Sequence, residues 1–112
     1  MEIYHNPRCA KSRQTLALLQ ENGVDPEIVL YLYSVPSPHE LKSLLLKLDI
    51  SPIQLVRKGE KIWKEQFKGK DLSDEEIIEA MIAHPKLIER PIVVKDQKAV
   101  LGRPPENVLD LL

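Results

Sequence analysis

The strongest constraint on this chain lies in its first third. Residues 2–4 are a short apolar run that predicts a buried strand. Residues 10–22 carry Leu16, Leu18 and Leu19 and predict a helix, with Gly23 where a C-terminal cap belongs. Residues 27–32 (Glu27-Ile28-Val29-Leu30-Tyr31-Leu32) predict a second strand, apolar on both faces as in a covered parallel sheet. Strand, helix and strand within about thirty positions make a βαβ unit. Parallel neighbours need a crossover of this kind, so the chain is committed to an α/β fold.

The remainder fills in that plan. Ser37-Pro38-His39-Glu40 and Ser73-Asp74-Glu75-Glu76 are two capping boxes, each with a glutamate three residues after a serine. The first leads into Leu41, Leu44, Leu45 and Leu48 at i, i+3, i+4, i+7, and the second into Ile77, Ile78, Met81 and Ile82. Residues 52–68 predict short helical turns, with Trp63 and Phe67 as a packing pair. Ile92-Val93-Val94 and Lys98-Ala99-Val100-Leu101 predict a hairpin around Asp96-Gln97, without the usual turn glycine. A last short helix starts at Pro104 or Pro105. The order β-α-β, helices, β-β-α is that of a single α/β domain over residues 1–112, a mixed sheet with a helical insertion between strands 2 and 3.

Leu, Ile, Val and Phe make up about a third of the 112 residues, enough for one core and well above the range of disordered chains. The 16 basic residues against 17 acidic ones leave no positive excess to collect phosphates, which argues against a nucleic-acid or membrane-surface binder. No apolar run approaches membrane-spanning length, and the opening Met1-Glu2-Ile3 has neither a basic nor an apolar leader segment. The expectation is a cytoplasmic domain.

One cysteine, Cys9, stands in the whole chain, which excludes an internal disulfide and a cysteine-built zinc site. His5, His39 and His84 have no metal-ligand spacing, so no metal is expected. Cys9 falls between the first strand and the first helix, where unsatisfied N–H groups and the helix dipole favour an anion. His5, Arg8, Lys11 and Arg13 surround it, and no acidic residue occurs between Glu2 and Glu21. These features predict a thiolate at a depressed pKa, and a nucleophile. The motif is C-x-x-S, so Ser12 cannot resolve an oxidised Cys9, and turnover needs an external thiol such as glutathione. Position 15 is Thr15 and not arginine, which excludes a phosphatase-type C-x5-R loop.

Arginines are the second signal. Arg8 and Arg13 flank the cysteine, while Arg57, Arg90 and Arg103 fall at connections between elements. A guanidinium offers a planar fork that fits an oxyanion. Taken singly, each of the three reads first as an ordinary surface residue or half of a structural ion pair.

The chain resembles the glutaredoxin-coupled arsenate reductases. The resemblance rests on Ile3-Tyr4-His5-Asn6-Pro7-Arg8-Cys9, Ser12-Arg13, Thr15-Leu16, Leu30-Tyr31-Leu32, Arg57-Lys58, His84-Pro85, Glu89-Arg90-Pro91-Ile92-Val93-Val94 and Gly102-Arg103-Pro104-Pro105. It runs in order over essentially the whole chain. It implies a thioredoxin-like fold and a catalytic role for Cys9. It also implies oxyanion-binding roles for Arg57, Arg90 and Arg103, and thiolate-favouring roles for His5 and Ser12, by charge and by hydrogen bonding. Pro91 matches the cis proline of such folds. Ala10-Lys11 stands where better-known members carry Gly-Thr, and Arg8 where they carry a small apolar residue.

The activity this implies is reduction of arsenate to arsenite, as in arsenical resistance. Cys9 attacks arsenate held by the arginines, glutathione attacks the adduct, and glutaredoxin reduces the mixed disulfide. No bound cofactor is implied; glutathione is a co-substrate, glutaredoxin a protein partner, and the chain is expected to act as a monomer. Two other readings stay open: a monothiol glutathione-dependent thiol-disulfide oxidoreductase, and a non-catalytic redox regulator that binds RNA polymerase.

Overall fold

In the computed structural model, which describes residues 1–112, β1 (Glu2–Tyr4) is an inner strand with partners on both sides. It pairs in parallel with β2 (Glu27–Val29) and antiparallel with β3 (Ile92–Lys95), which in turn pairs antiparallel with β4 (Lys98–Leu101). The order is β2-β1-β3-β4. Ile3 stands opposite Ile28 and Val93, and Ile92 opposite Leu101. Ile3 and Val93 are fully buried with Leu19, Val108 and Leu111 in one apolar cluster, which helix α1 (Ala10–Glu21) and a terminal 3-10 segment (Pro105–Leu111) supply. These elements form a compact unit of residues Met1–Ser34 and Arg90–Leu112.

Residues Val35–Glu89 form a second compact unit, the helical insertion expected between strands 2 and 3. Both capping boxes are made. Ser37 accepts from the Glu40 N–H at the start of α2 (Pro38–Leu48), and Ser73 accepts from the Glu76 N–H at the start of α4 (Asp74–Ala83). The expected turns are a 3-10 turn at Pro52–Leu55 and the short α3 (Lys61–Gln66), where the Trp63 and Phe67 rings stack at 5.5 Å. Helix α4 packs against α2 and the flanking 3-10 turns.

Two helix ends obey the same chain geometry with different residues. After α1, the Val24 N–H reaches the Leu19 carbonyl and the Gly23 N–H the Gln20 carbonyl, with Gly23 at φ +78°. After α2, Ile50 bonds to Leu45 and Asp49 to Leu46, and Asp49 takes the left-handed turn at φ 56°. Both are Schellman closures. In the β3–β4 hairpin the missing glycine is replaced by Asp96 at φ 55°, a region aspartate tolerates better than most residues.

The second strand differs from expectation. It ends at Val29 and lies at the sheet edge with Ile28 47 % exposed, so it is not covered on both faces. Leu30 to Ser34 turn away instead, closed by Tyr33 and Ser34 N–H groups on the Leu30 carbonyl, and Tyr31 alone is buried. An apolar run reports burial only where a neighbouring strand or helix covers it. The terminal helix starts where expected but is of the 3-10 type.

Candidate active site

All the loops that matter in the first unit leave the sheet at one end, because β1 and β2 end where β3 begins and β4 ends. The segment after β1 carries His5 to Cys9. The segment before β3 carries Arg90 and Pro91, and the segment after β4 carries Gly102 and Arg103. The Arg90–Pro91 bond is cis, as the resemblance implies for Pro91, and so is Arg103–Pro104.

Cys9 is the N-cap residue of α1, extended at φ −92° and ψ 122°, with a half-buried side chain. Burial pushes its pKa up. The backbone N–H groups of Ser12 and Lys11 and the Arg90 guanidinium outweigh that and hold the thiol below its ordinary value. The Nη1 of Arg103 lies 3.9 Å from the Cys9 sulfur and donates to the Arg90 carbonyl at 3.2 Å. At that length, and on an exposed side chain, Arg103 is a loose neighbour of the sulfur, which accords with Arg90 being the cation that lowers the pKa.

Beneath the sulfur is a buried polar knot. The Nδ1 of His5 is 2.6 Å from the Ser12 hydroxyl, which also accepts the Asn6 N–H at 3.0 Å. The Asn6 side chain accepts the Arg8 N–H, and its carbonyl accepts the Cys9 N–H, both at 3.0 Å. This pins both ends of the loop that presents the cysteine. Burial and then Arg13 lower the pKa of His5, which favours its neutral form. Ser12 faces the sulfur through its backbone N–H, while its hydroxyl serves His5 and Asn6.

Thr15 and Gly102 are parts of the support that sequence reasoning gave no role. The buried Thr15 hydroxyl donates to the Lys11 carbonyl at 2.8 Å and lies 3.3 Å from the Gly102 carbonyl. The Gly102 N–H in turn donates to the Pro91 carbonyl at 2.9 Å. A Cβ on Gly102 would stand 2.5 Å from the Thr15 hydroxyl and 2.8 Å from the Pro91 ring. Only glycine lets the segment carrying Arg103 approach helix and cis proline this closely. A threonine on an otherwise leucine-rich helix face and a glycine just before an arginine were the available signals.

Of the five arginines, Arg90 and Arg103 stand at the sulfur, whereas Arg8 and Arg13 are exposed on the loop and helix beside it, with Arg13 donating to the Pro7 carbonyl. Arg57 belongs to the second unit. Its N–H donates to the Leu87 carbonyl, and its guanidinium lies 3.7 Å from Glu60 and 3.6 Å from Glu89.

A four-stranded mixed sheet that presents a cysteine of lowered pKa from the start of the first helix, against a strand opened by a cis proline, defines a thioredoxin-like thiol protein. Within that class the chain belongs to the ArsC family, whose pattern it matches over residues 4–111. It is 51% identical over 114 residues to the Escherichia coli K12 protein YfgD, described only as uncharacterized, covering 100% of this chain and 96% of that one. It is 47% identical over 112 residues to a Haemophilus influenzae protein named arsenate reductase, covering 98% and 97% of the two chains. Among solved structures, that titled arsenate reductase from Vibrio cholerae superimposes with a TM-score of 0.95 at 49% identity, over 99% of this chain and 96% of the other. No helix is long and apolar enough to cross a membrane.

Proposed function

We propose that the chain reduces arsenate to arsenite, with Cys9 as nucleophile and glutathione and glutaredoxin as the source of electrons. One observation carries the reading: a sulfur whose pKa is lowered by two backbone N–H groups and Arg90 has a second guanidinium, Arg103, 3.9 Å away. Two forks at a nucleophile suit a small tetrahedral oxyanion, and they stabilise the charge that builds on its oxygens during attack. Arg57 is given the same task on its match to the family pattern.

The Cys9 thiolate forms a sulfur–arsenic bond and one arsenate oxygen leaves as water after protonation. The glutathione sulfur attacks Cys9, the sulfur–arsenic pair stays on arsenic, and As(V) becomes arsenite. Cys9 is left in a mixed disulfide, which the glutaredoxin thiol reduces. Overall, two thiols become one disulfide and arsenate loses one oxygen as water. Such a cycle requires the reducing environment of the cytoplasm.

A coupled assay with glutathione, glutaredoxin, glutathione reductase and NADPH tests this. Arsenate-dependent NADPH oxidation is expected in the native chain and none in Cys9→Ser. No arsenate-dependent turnover by the native chain overturns the proposal. The thiolate is stabilised largely from the backbone, which also suits a monothiol thiol-disulfide oxidoreductase. That second reading predicts that replacing Arg57, Arg90 and Arg103 together leaves thiol transfer intact.

A further inference from the structure

The strand order puts the cysteine loop between two unlike neighbours. On the β3 and β4 side stand Arg90 and Arg103. On the β2 side lies a groove of about 120 Å³ lined by Asn6, Pro7, Arg8, Leu30, Leu32 and Tyr33, with His5 at its base. The groove exists because β2 stops at Val29 and the chain turns at Leu30, leaving Leu30 exposed and Tyr33 80 % exposed beside the cysteine loop. No acidic side chain lines it, and Arg8 is its one permanently charged residue. Neither of the arginines at the sulfur takes part.

We propose that this groove seats glutathione, the tripeptide thiol, by its glycyl end. The inference rests on the thiol-dependent reading above and names the place of the second substrate. An incoming thiol needs a path to Cys9 other than the one the arginine-bound oxyanion fills, and the groove shares Asn6 with the turn that holds the Cys9 N–H. The ligand is an acidic peptide with a terminal carboxylate, which is the partner a lone guanidinium on a partly apolar wall selects. The register agrees. Arg8 and Cys9 are neighbours in sequence, as are the glycyl and cysteinyl residues of glutathione. Arg8 precedes Cys9 directly in the chain, so a carboxylate held at Arg8 puts the adjoining cysteinyl residue of the ligand on the cysteine loop. The volume takes several waters, enough for the glycyl end while the γ-glutamyl end stays in solvent.

S-methylglutathione, which cannot react, tests the site without turnover. Titrated into the 15N-labelled native chain, it should produce saturable shifts at the amides of residues 5, 6 and 8 and of residues 30–33. S-methylglutathione amidated at its glycyl carboxyl, which removes that charge, should not saturate them. Arg8→Gln should weaken S-methylglutathione about fivefold. Tyr33→Ala, on a largely exposed side chain, should raise the KM for glutathione about threefold and leave that for arsenate unchanged. Shifts centred on residues 90–92 and 101–103, no saturable binding, equal binding of the glycyl amide, or an unchanged affinity in Arg8→Gln would each overturn the assignment. If the native chain binds at the groove yet fails to turn over arsenate, the arsenate reading falls and the thiol site stands.

Discussion

The guanidinium of Arg103 lies 3.9 Å from the sulfur of Cys9, across 94 positions of sequence, and is steered there by its bond to the Arg90 carbonyl. The two arginines thus act differently on one atom. Arg90 lowers the pKa of the sulfur, while Arg103 stands at the distance an arriving oxyanion would bridge.

That division predicts separable effects. Alkylation of Cys9 by iodoacetamide against pH should show its inflection below the free-thiol value of about 8.5. Arg90→Ala should move the inflection up, and Arg103→Ala should move it much less while raising the KM for arsenate. Equal shifts in the two variants would refute the split.

Stability should follow the same titration. The folded Cys9 has its pKa below that of the unfolded thiol, so between the two values the unfolded chain holds the extra proton. Stability therefore rises with pH across that window, is fully present above the unfolded value, and is lost as pH falls through the folded one. His5 acts in the same direction at lower pH, since the unfolded imidazole takes a proton near 6.5 that the folded one resists. Urea midpoints should fall below about pH 6.5 and climb from neutrality towards pH 9. Cys9→Ser should flatten only the upper limb.

Ser12 holds the loop from beneath. Ser12→Ala leaves the buried His5 ring and the Asn6 N–H without their shared partner, a loss of about 1–3 kcal/mol in urea unfolding. Because the Ser12 N–H still faces the sulfur, the Cys9 inflection should move little.

Gly102→Ala should destabilise by about 1–3 kcal/mol, since the new methyl meets Thr15 and Pro91. Adding Thr15→Ala removes the Thr15 side-chain atoms responsible for two of the three close contacts, so the double variant should lose less than the sum of the single ones. Strict additivity by chemical denaturation would show that the two residues do not share this contact.

Asp49 at φ 56° closes α2 in a conformation that glycine adopts without strain. Asp49→Gly should therefore stabilise by about 0.5–1 kcal/mol, read as a raised urea midpoint with no change in arsenate turnover.

Much of this could be read along the chain, and the reasons are local. The capping boxes at Ser37 and Ser73, the leucine spacing of α2, the Schellman glycine Gly23 and the place of Cys9 at a helix start each depend on residues within one or two turns. The family motifs marked Pro91 as cis. The end of β2 was not legible, because an apolar run is the same string whether a neighbour covers it or it lies at a sheet edge.

The sequence by itself therefore determined the order of elements, their starts and stops, and a cysteine at the positive end of a helix, since backbone geometry and capping act over a few residues. Tertiary structure alone decided which cations reach that sulfur, that burial lowers the pKa of His5, and that Gly102 must be bare. Desolvation and close packing arise only when segments ninety residues apart are brought into contact.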